Sequence, residues 1–300
     1  MITTKNLVKS FDSYKAVNNI SCTIPDGCIY GMVGSNGAGK STFLRLITGV
    51  YKADMGEILI DGEPVYENPS IKSRISYVPD ELYFLPGASI KRMAEFYNNI
   101  YPNFDMERCT FLTDAFKLDI KKPINTFSKG MKRQAAIILA LSCKPDYMFF
   151  DETFDGLDPV MRNLVKSLIC EDVLERKATA FITSHSLREL EDICDQLALL
   201  HMGGLVLEND ITNLKSSNFK VQIAFTHEYD ESLFKDFEYT RFRKTGSVST
   251  MLVKGDRDET LEKFNALNPA LVDVLPLTLE EVFTFEMETL GYNFDNILED

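Results

Sequence analysis

The sequence predicts an α/β fold: a parallel core sheet wrapped by helices, antiparallel strands beside it, and a small α+β domain after it. Three observations carry this. From residue 1 to about 212, short apolar runs rich in β-branched and aromatic residues alternate with helical patterns. One run, Cys28–Val33, leads straight into a glycine-rich turn and then a helical segment, Thr42–Ile47. Near Ser216 the pattern changes to short alternating strands. A length of 300 residues suits one large domain or two ordinary ones. We therefore expect a first domain over 1–212 and a second over 216–300.

Each element follows in order. The first two dozen residues and Gly56–Ile60 read as antiparallel strands. Cys28–Val33 and Ile75–Val78 read as core strands. From Pro86 to Pro123 the pattern turns helical, with Ile90, Met93, Phe96 and Tyr97 expected on one face, so a helical subdomain is placed at about 86–145. Ser128 stands before an apolar helical stretch through Ile137, Ile138 and Leu141, as a capping residue does. Tyr147–Phe150, Ala178–Thr183 and Leu197–His201 complete the core strands. In the second domain, strands are expected at Phe219–Phe225, Phe237–Phe242, Val248–Val253 and Leu271–Leu275, with a helix at Asp258–Leu267. Thr278-Leu279-Glu280-Glu281 is a capping box that opens a last helix running to about Leu290.

Composition narrows the function classes. The net charge of −13 argues against nucleic acid as a partner, because backbone binding needs clustered Lys and Arg. The region from Lys215 onward, with 17 acidic and 9 basic residues, is read as a solvated acidic surface. No apolar run approaches the roughly 18–20 residues that span a bilayer. The start lacks the basic region and apolar core of a signal peptide. The six cysteines form no CxxC pair, which fits reduced core thiols in the cytoplasm. The three histidines show no metal-ligand spacing.

The chemistry sits in three motifs. Gly34-Ser35-Asn36-Gly37-Ala38-Gly39-Lys40-Ser41, followed by Thr42, is a complete phosphate-binding loop. Its glycines let backbone N–H groups turn toward phosphate oxygens, Lys40 reaches the β- and γ-phosphates, and the Ser41 hydroxyl suits Mg²⁺. Tyr147–Phe150 ends in Asp151 and Glu152. A buried parallel strand would deliver Asp151 to its carboxyl end as a Mg²⁺ carboxylate, and Glu152 as the base that activates water. Phe127-Ser128-Lys129-Gly130-Met131 opens a helix whose N-terminus offers a second anion site, here without a phosphate loop of its own.

These motifs resemble, in order, those of the ATP-binding subunit of ABC transporters. Phe127–Met131 is similar to the family signature, with Ser128 and Gly130 in its core positions. Asp155-Gly156-Leu157-Asp158 resembles the loop that crosses the dimer interface, with Asp158 its acidic residue, and Thr183-Ser184-His185 resembles the switch histidine. Phe11 stands where the family stacks an aromatic on adenine, and Tyr14 is the alternative. The resemblance covers residues 1 to about 212 and implies a P-loop NTPase of the ABC type: parallel core sheet, antiparallel β subdomain and helical subdomain. Leu277–Phe283 resembles the ending of stand-alone subunits of prokaryotic exporters.

The departures are informative. Asp80 stands where the family has Gln, one methylene shorter yet still an oxygen ligand for Mg²⁺, with Glu81 as the other carboxylate to hand. Lys129 and Met131 replace Gly and Gln in the signature. The resemblance implies an ATPase working with ATP and Mg²⁺. It implies a homodimer, or a heterodimer with a homologous subunit, that sandwiches two nucleotides. It also implies a separate transmembrane permease subunit, export of a substrate, and a place at the inner face of the membrane. Leu82–Tyr101 is the expected docking segment for that permease, or else simply subdomain core. Two rivals remain open: a soluble ABC-type ATPase and a regulatory module that holds ATP without turnover.

Overall fold

The computed structural model describes residues 1–211, 218–275 and 277–289. The chain divides into two compact units, Met1–Glu208 and Asn209–Asp300. The boundary positions expected at 212 and 216, and the helix end expected at Leu290, lie outside the described residues.

In the first unit, β1 (Ile2–Phe11) and β2 (Tyr14–Ile24) form an antiparallel pair, and β4 (Met55–Ile60) lies on the other side of β1, flanked by β5 (Glu63–Pro64). The core sheet holds β3 (Ile29–Val33), β6 (Ile75–Val78), β7 (Tyr147–Asp151), β8 (Thr179–Ser184), β9 (Gln196–His201) and β10 (Gly204–Asp210) in the order β10-β9-β3-β8-β7-β6. The pairings β3–β8, β3–β9, β7–β8 and β6–β7 are parallel. β3, β7 and β8 are buried along their whole length, so they carry unbroken apolar runs instead of alternation. Tyr30 stacks on Phe181 at 5.2 Å, and Phe43 and Phe149 close around that ring at 5.9 and 6.2 Å. Each such side chain, fully buried, contributes about 1.5–3 kcal/mol.

Helix α1 (Lys40–Ile47) follows the glycine-rich loop, and α2 (Pro69–Lys72) precedes β6. Between β6 and β7 lie α3 (Ile90–Asn98), α4 (Met106–Ala115) and α5 (Lys129–Ser142). On α3 the buried residues are Ile90, Met93 and Ala94, with Tyr97 partly buried, whereas Phe96 is exposed. Phe96 was expected on the inner face. Six residues from Ile90 it falls off the i, i+3, i+4, i+7 stripe, and only Tyr97 continues the stripe. The remaining helices of this unit are α6 (Pro159–Arg176) and α7 (Leu187–Glu191).

The second unit contains an antiparallel sheet of β11 (Asn218–Ala224), β12 (Tyr239–Thr245), β13 (Val248–Lys254) and β14 (Leu271–Leu275) in the order β12-β13-β11-β14. Phe219, Val221, Ile223, Met251 and Val253 point from it into a core shared with Phe234 and Phe264. Phe264 belongs to α8 (Arg257–Ala266). Phe237, expected in a strand, lies before β12 and stacks on Phe264 at 4.0 Å. In α9 (Leu279–Thr289) the capping box is formed both ways: Glu281 N–H donates to Thr278 Oγ1 at 3.2 Å, and Thr278 N–H donates to Glu281 Oε2 at 3.0 Å.

Candidate nucleotide site

Parallel pairing brings three strand ends to one place. Val33 lies opposite Ser184 across β3 and β8, and Asp151 lies opposite Thr183 across β7 and β8. The carboxyl ends of a parallel sheet are where ligand sites form, because the loops there diverge and helix N-termini point in.

The glycine-rich loop wraps one side of this point. Gly39 has φ +107°, and a Cβ there would lie 2.2 Å from the Ala16 carbonyl oxygen. A Cβ on Gly34 would lie 2.4 Å from the Leu200 carbonyl oxygen. Both positions therefore require glycine, for conformation in one case and close approach in both. Ser35, Asn36 and Gly37 are exposed at the rim, Ala38 is buried, and Ser41 and Thr42 are half-buried on the first turn of α1. No side chain caps α1, so its first-turn N–H groups are not taken by a side-chain acceptor. This leaves them to an anion.

The charged residues interlock. Buried Lys40 donates to the carbonyls of Gly34 at 2.6 Å and Ser35 at 3.3 Å, and its Nζ is 3.1 Å from Glu152 Oε1. The other carboxylate oxygen, Oε2, meets His185 Nδ1 at 2.8 Å and accepts the His185 backbone N–H at 3.1 Å. Glu152 itself sits at φ +47°, uncommon for a residue with a side chain. Its N–H is anchored on Thr183 Oγ1 at 3.1 Å.

Asp151 is fully buried. Its Oδ1 accepts from Ser41 at 3.0 Å and from Thr183 at 2.8 Å, and its Oδ2 accepts from Tyr77 at 3.4 Å. Burial pushes its carboxyl above the usual range. The Thr183 and Ser41 hydroxyls pull it back, and the charges of Glu152 and Asp80 add to the rise. Burial likewise pushes the Tyr77 hydroxyl well up, which keeps it a donor.

Asp80, on the loop after β6, is half-exposed, and its Oδ1 accepts from Arg133 Nη2 at 2.8 Å. Phe11 is exposed beside the glycine-rich loop's supporting hairpin, edge-on to Tyr51 at 5.6 Å. Tyr14, its partner across the β1–β2 turn, reaches the loop itself, donating to the Gly37 carbonyl at 2.7 Å.

The remaining expected residues assemble elsewhere. Ser128 caps α5 by accepting the Met131 N–H at 3.3 Å. Gly130 packs where a Cβ would lie 2.8 Å from the Gly156 carbonyl oxygen, and Lys129 pairs with Asp155 at 3.5 Å. Asp158 caps α6, accepting from Val160 and Met161, each at 3.0 Å. Within one chain, Lys129 and Gly130 thus meet the 155–158 loop, while Lys40, Glu152 and His185 form their own chain of contacts.

Thr183 and Arg133 were not singled out in the sequence. Thr183 carries a weak signal, being the residue before Ser184-His185, but its use depends on β8 lying next to β7. A pocket of about 240 Å³ of mixed polarity, lined among others by Ser76, Tyr77, Leu82, Tyr83, Tyr97 and Ala136, lies between the loop after β6 and the helices α3 and α5. No helix among the described residues is long and apolar enough to cross a membrane.

Comparison with known proteins gives a consistent result. The family described as ABC transporter matches residues 17–155. The chain is similar to the ABC transporter ATP-binding protein YtrB of Bacillus subtilis, 31% identical over 283 residues, which is 94% of this chain and 97% of that protein. It is also similar to the bacitracin transport ATP-binding protein BcrA of Bacillus licheniformis, 33% identical over 73% of each chain. Among solved structures, the dimeric ATP-binding cassette MJ0796 bound to ADP and Pi in a post-hydrolysis state matches at a TM-score of 0.65 and 20% identity, over 70% of this chain and 99% of that one.

Proposed function

Since the chain belongs to the ABC transporter ATP-binding proteins, we propose that it hydrolyses Mg²⁺–ATP to drive export through a separate membrane-spanning subunit. The observation that supports this reading most is the convergence of Lys40, Glu152, His185 and Asp151 at the ends of β3, β7 and β8.

Lys40 receives the β- and γ-phosphates, exchanging its carbonyl and Glu152 contacts for phosphate oxygens. The first-turn N–H groups of α1 and those of the loop bind the same oxygens. Once Lys40 has turned to phosphate, Glu152 Oε1 is free to take a proton from the attacking water. His185 holds the other carboxylate oxygen, and we assign its ring to the γ-phosphate. Phe11 stacks on the base, and Tyr14 steadies the loop through Gly37.

The donor set suits Mg²⁺. Asp151 is a fully buried carboxylate whose direct partners are hydroxyls, and Ser41 adds an oxygen donor beside it. Ser41 and Asp151 would hold the ion, with Asp80 nearby, and it would offset charge on the β- and γ-phosphates. Among the described residues no group of three or more His, Cys, Asp or Glu is clustered for a metal. That fits an ion bound by one or two protein oxygens together with substrate phosphates and water.

In this chain Ser128 caps α5 and Gly130 packs on Gly156, and we place them on the nucleotide of a second copy or of a homologous partner. The pocket beside Tyr83 receives a cytoplasmic helix of the membrane subunit, and the protein sits peripherally at the inner face of the membrane. The test is steady-state phosphate release with Mg²⁺ and ATP. Lys40→Ala should lose at least about a hundredfold in rate, as removal of a preorganised charge-stabilising donor does. Equal rates in wild type and variant would place the activity outside this site. An inactive wild type that binds ATP, even in complex with its membrane partner, would favour a regulatory module.

A further inference from the structure

We propose that Arg133 is a positioning residue for Asp80: a buried guanidinium on α5 that ties the loop after β6 to the helix capped by Ser128. Arg133 is 1% exposed, among the largest fully buried side chains. Its Nη2 donates to Asp80 Oδ1 at 2.8 Å, and its Nη1 donates to the carbonyls of Pro79 at 3.2 Å and Asp80 at 3.1 Å. Its Nε is buried with no partner among the described residues. Among the described residues, every hydrogen bond of this desolvated cation goes to two consecutive loop residues, and none to its own helix.

A charge taken this far out of water is costly unless it is paired and hydrogen-bonded. Here the loop supplies all of the pairing. Moving the loop away from α5 would strand the guanidinium, so the two segments hold one arrangement. The planar fork of arginine is what allows one group to hold a carboxylate and two carbonyls together, and a lysine ammonium cannot reproduce it. Asp80 is in the opposite condition. Its side chain is 51% exposed, so packing does not fix it and Arg133 does. Its charge is also one of those that act on Asp151.

Ser128 and Lys129 begin the same helix that carries Arg133. Arg133 therefore couples that helix start to Asp80. The kinetic part of this inference rests on the ATPase reading above, whereas the tether itself does not.

The test has two arms on the full chain. Hydrogen exchange followed by mass spectrometry reads the loop at residues 79–85 in wild type, Arg133→Lys, Arg133→Gln and Asp80→Ala. Exchange there should accelerate by about tenfold or more in each variant, with β7 and β8 unchanged. Asp80→Ala removes the carboxylate acceptor from a half-exposed position, so it decides this arm even if an arginine variant fails to fold. Unchanged loop exchange in Asp80→Ala would overturn the tether. In the second arm, Arg133→Lys and Asp80→Ala should each lower kcat with little change in KM for ATP. The double variant should be no worse than the more damaged single one. Losses that multiply in the double variant would overturn positioning. If the wild type shows no ATPase activity, the functional reading fails while the exchange arm still decides the tether.

Discussion

Asp151→Asn should stabilise the folded protein while destroying its activity. The carboxylate is fully buried, its direct partners are the hydroxyls of Ser41, Thr183 and Tyr77, and the nearby charges of Glu152 and Asp80 repel it. Asparagine keeps the Oδ1 acceptor for Ser41 and Thr183 and presents an amide to the Tyr77 oxygen, so the change removes charge without removing the hydrogen bonds. Relief of a functional-site penalty of this kind is typically worth about 0.5–2 kcal/mol. For a unit of the size of Met1–Glu208, each kcal/mol shifts Tm by about 2–4 °C, so the rise should be about 1–8 °C.

The sign with pH follows from the raised carboxyl. Below the ordinary value of 3.8 the group is protonated whether the chain is folded or not, and the variant has no advantage. The wild type incurs the penalty as pH climbs above that value, so the advantage of the variant grows from acidic toward neutral pH. Thermal unfolding should be followed at neutral and at acidic pH, each with and without Mg²⁺–ATP. Wild type should gain about 2.7 kcal/mol at a hundredfold excess of ligand over Kd. The variant should gain clearly less, because the charge that holds the cation is missing. A variant less stable than wild type at neutral pH without ligand would refute the reasoning, since the Asp151 charge would then be compensated within the fold.

Thr183→Val keeps the shape of a fully buried side chain and removes the hydroxyl that serves both Asp151 Oδ1 and the Glu152 N–H. Turnover should fall by about 10- to 100-fold, as for other groups that orient a metal ligand, with ATP binding by fluorescence titration largely kept; wild-type turnover would show that the hydroxyl does not orient either carboxylate. Glu152→Gln removes the base and keeps the side-chain shape, so single-turnover assays should show ATP bound and not cleaved. Cleavage at the wild-type rate would move the base to another residue.

The core of this account was legible in the sequence for a physical reason. Strands buried on both faces need unbroken apolar runs, so Cys28–Val33, Tyr147–Phe150 and Ala178–Thr183 could be read locally. The glycine-rich loop was legible because Gly34 and Gly39 meet backbone carbonyls too closely for any side chain. What escaped depends on which segments become neighbours. Thr183 joins the site only because β8 pairs with β7 in a register that sets it opposite Asp151. Arg133 looked like one more basic residue on a helix, and its partner lies 53 residues earlier. Asp80 was read as a substitute for glutamine and gained a buried partner. Phe96 lies in the expected helix but off its buried stripe, and Phe237 departs from the expected strand because an aromatic fits a strand pattern until packing selects its place. Tyr14, the weaker choice beside Phe11, is the one whose hydroxyl touches the loop, a contact set by the turn between β1 and β2.

The central claim is that two cassettes share their nucleotides, with Ser128 and Gly130 of one completing the Lys40 site of the other. Light scattering coupled to size-exclusion chromatography on Glu152→Gln, with and without Mg²⁺–ATP, tests it most directly. The account predicts a shift from the mass of one chain toward that of two when ATP is present, reversed in the Glu152→Gln/Ser128→Arg double variant. A strictly monomeric Glu152→Gln protein that still binds ATP, alone and with its membrane partner, would contradict it.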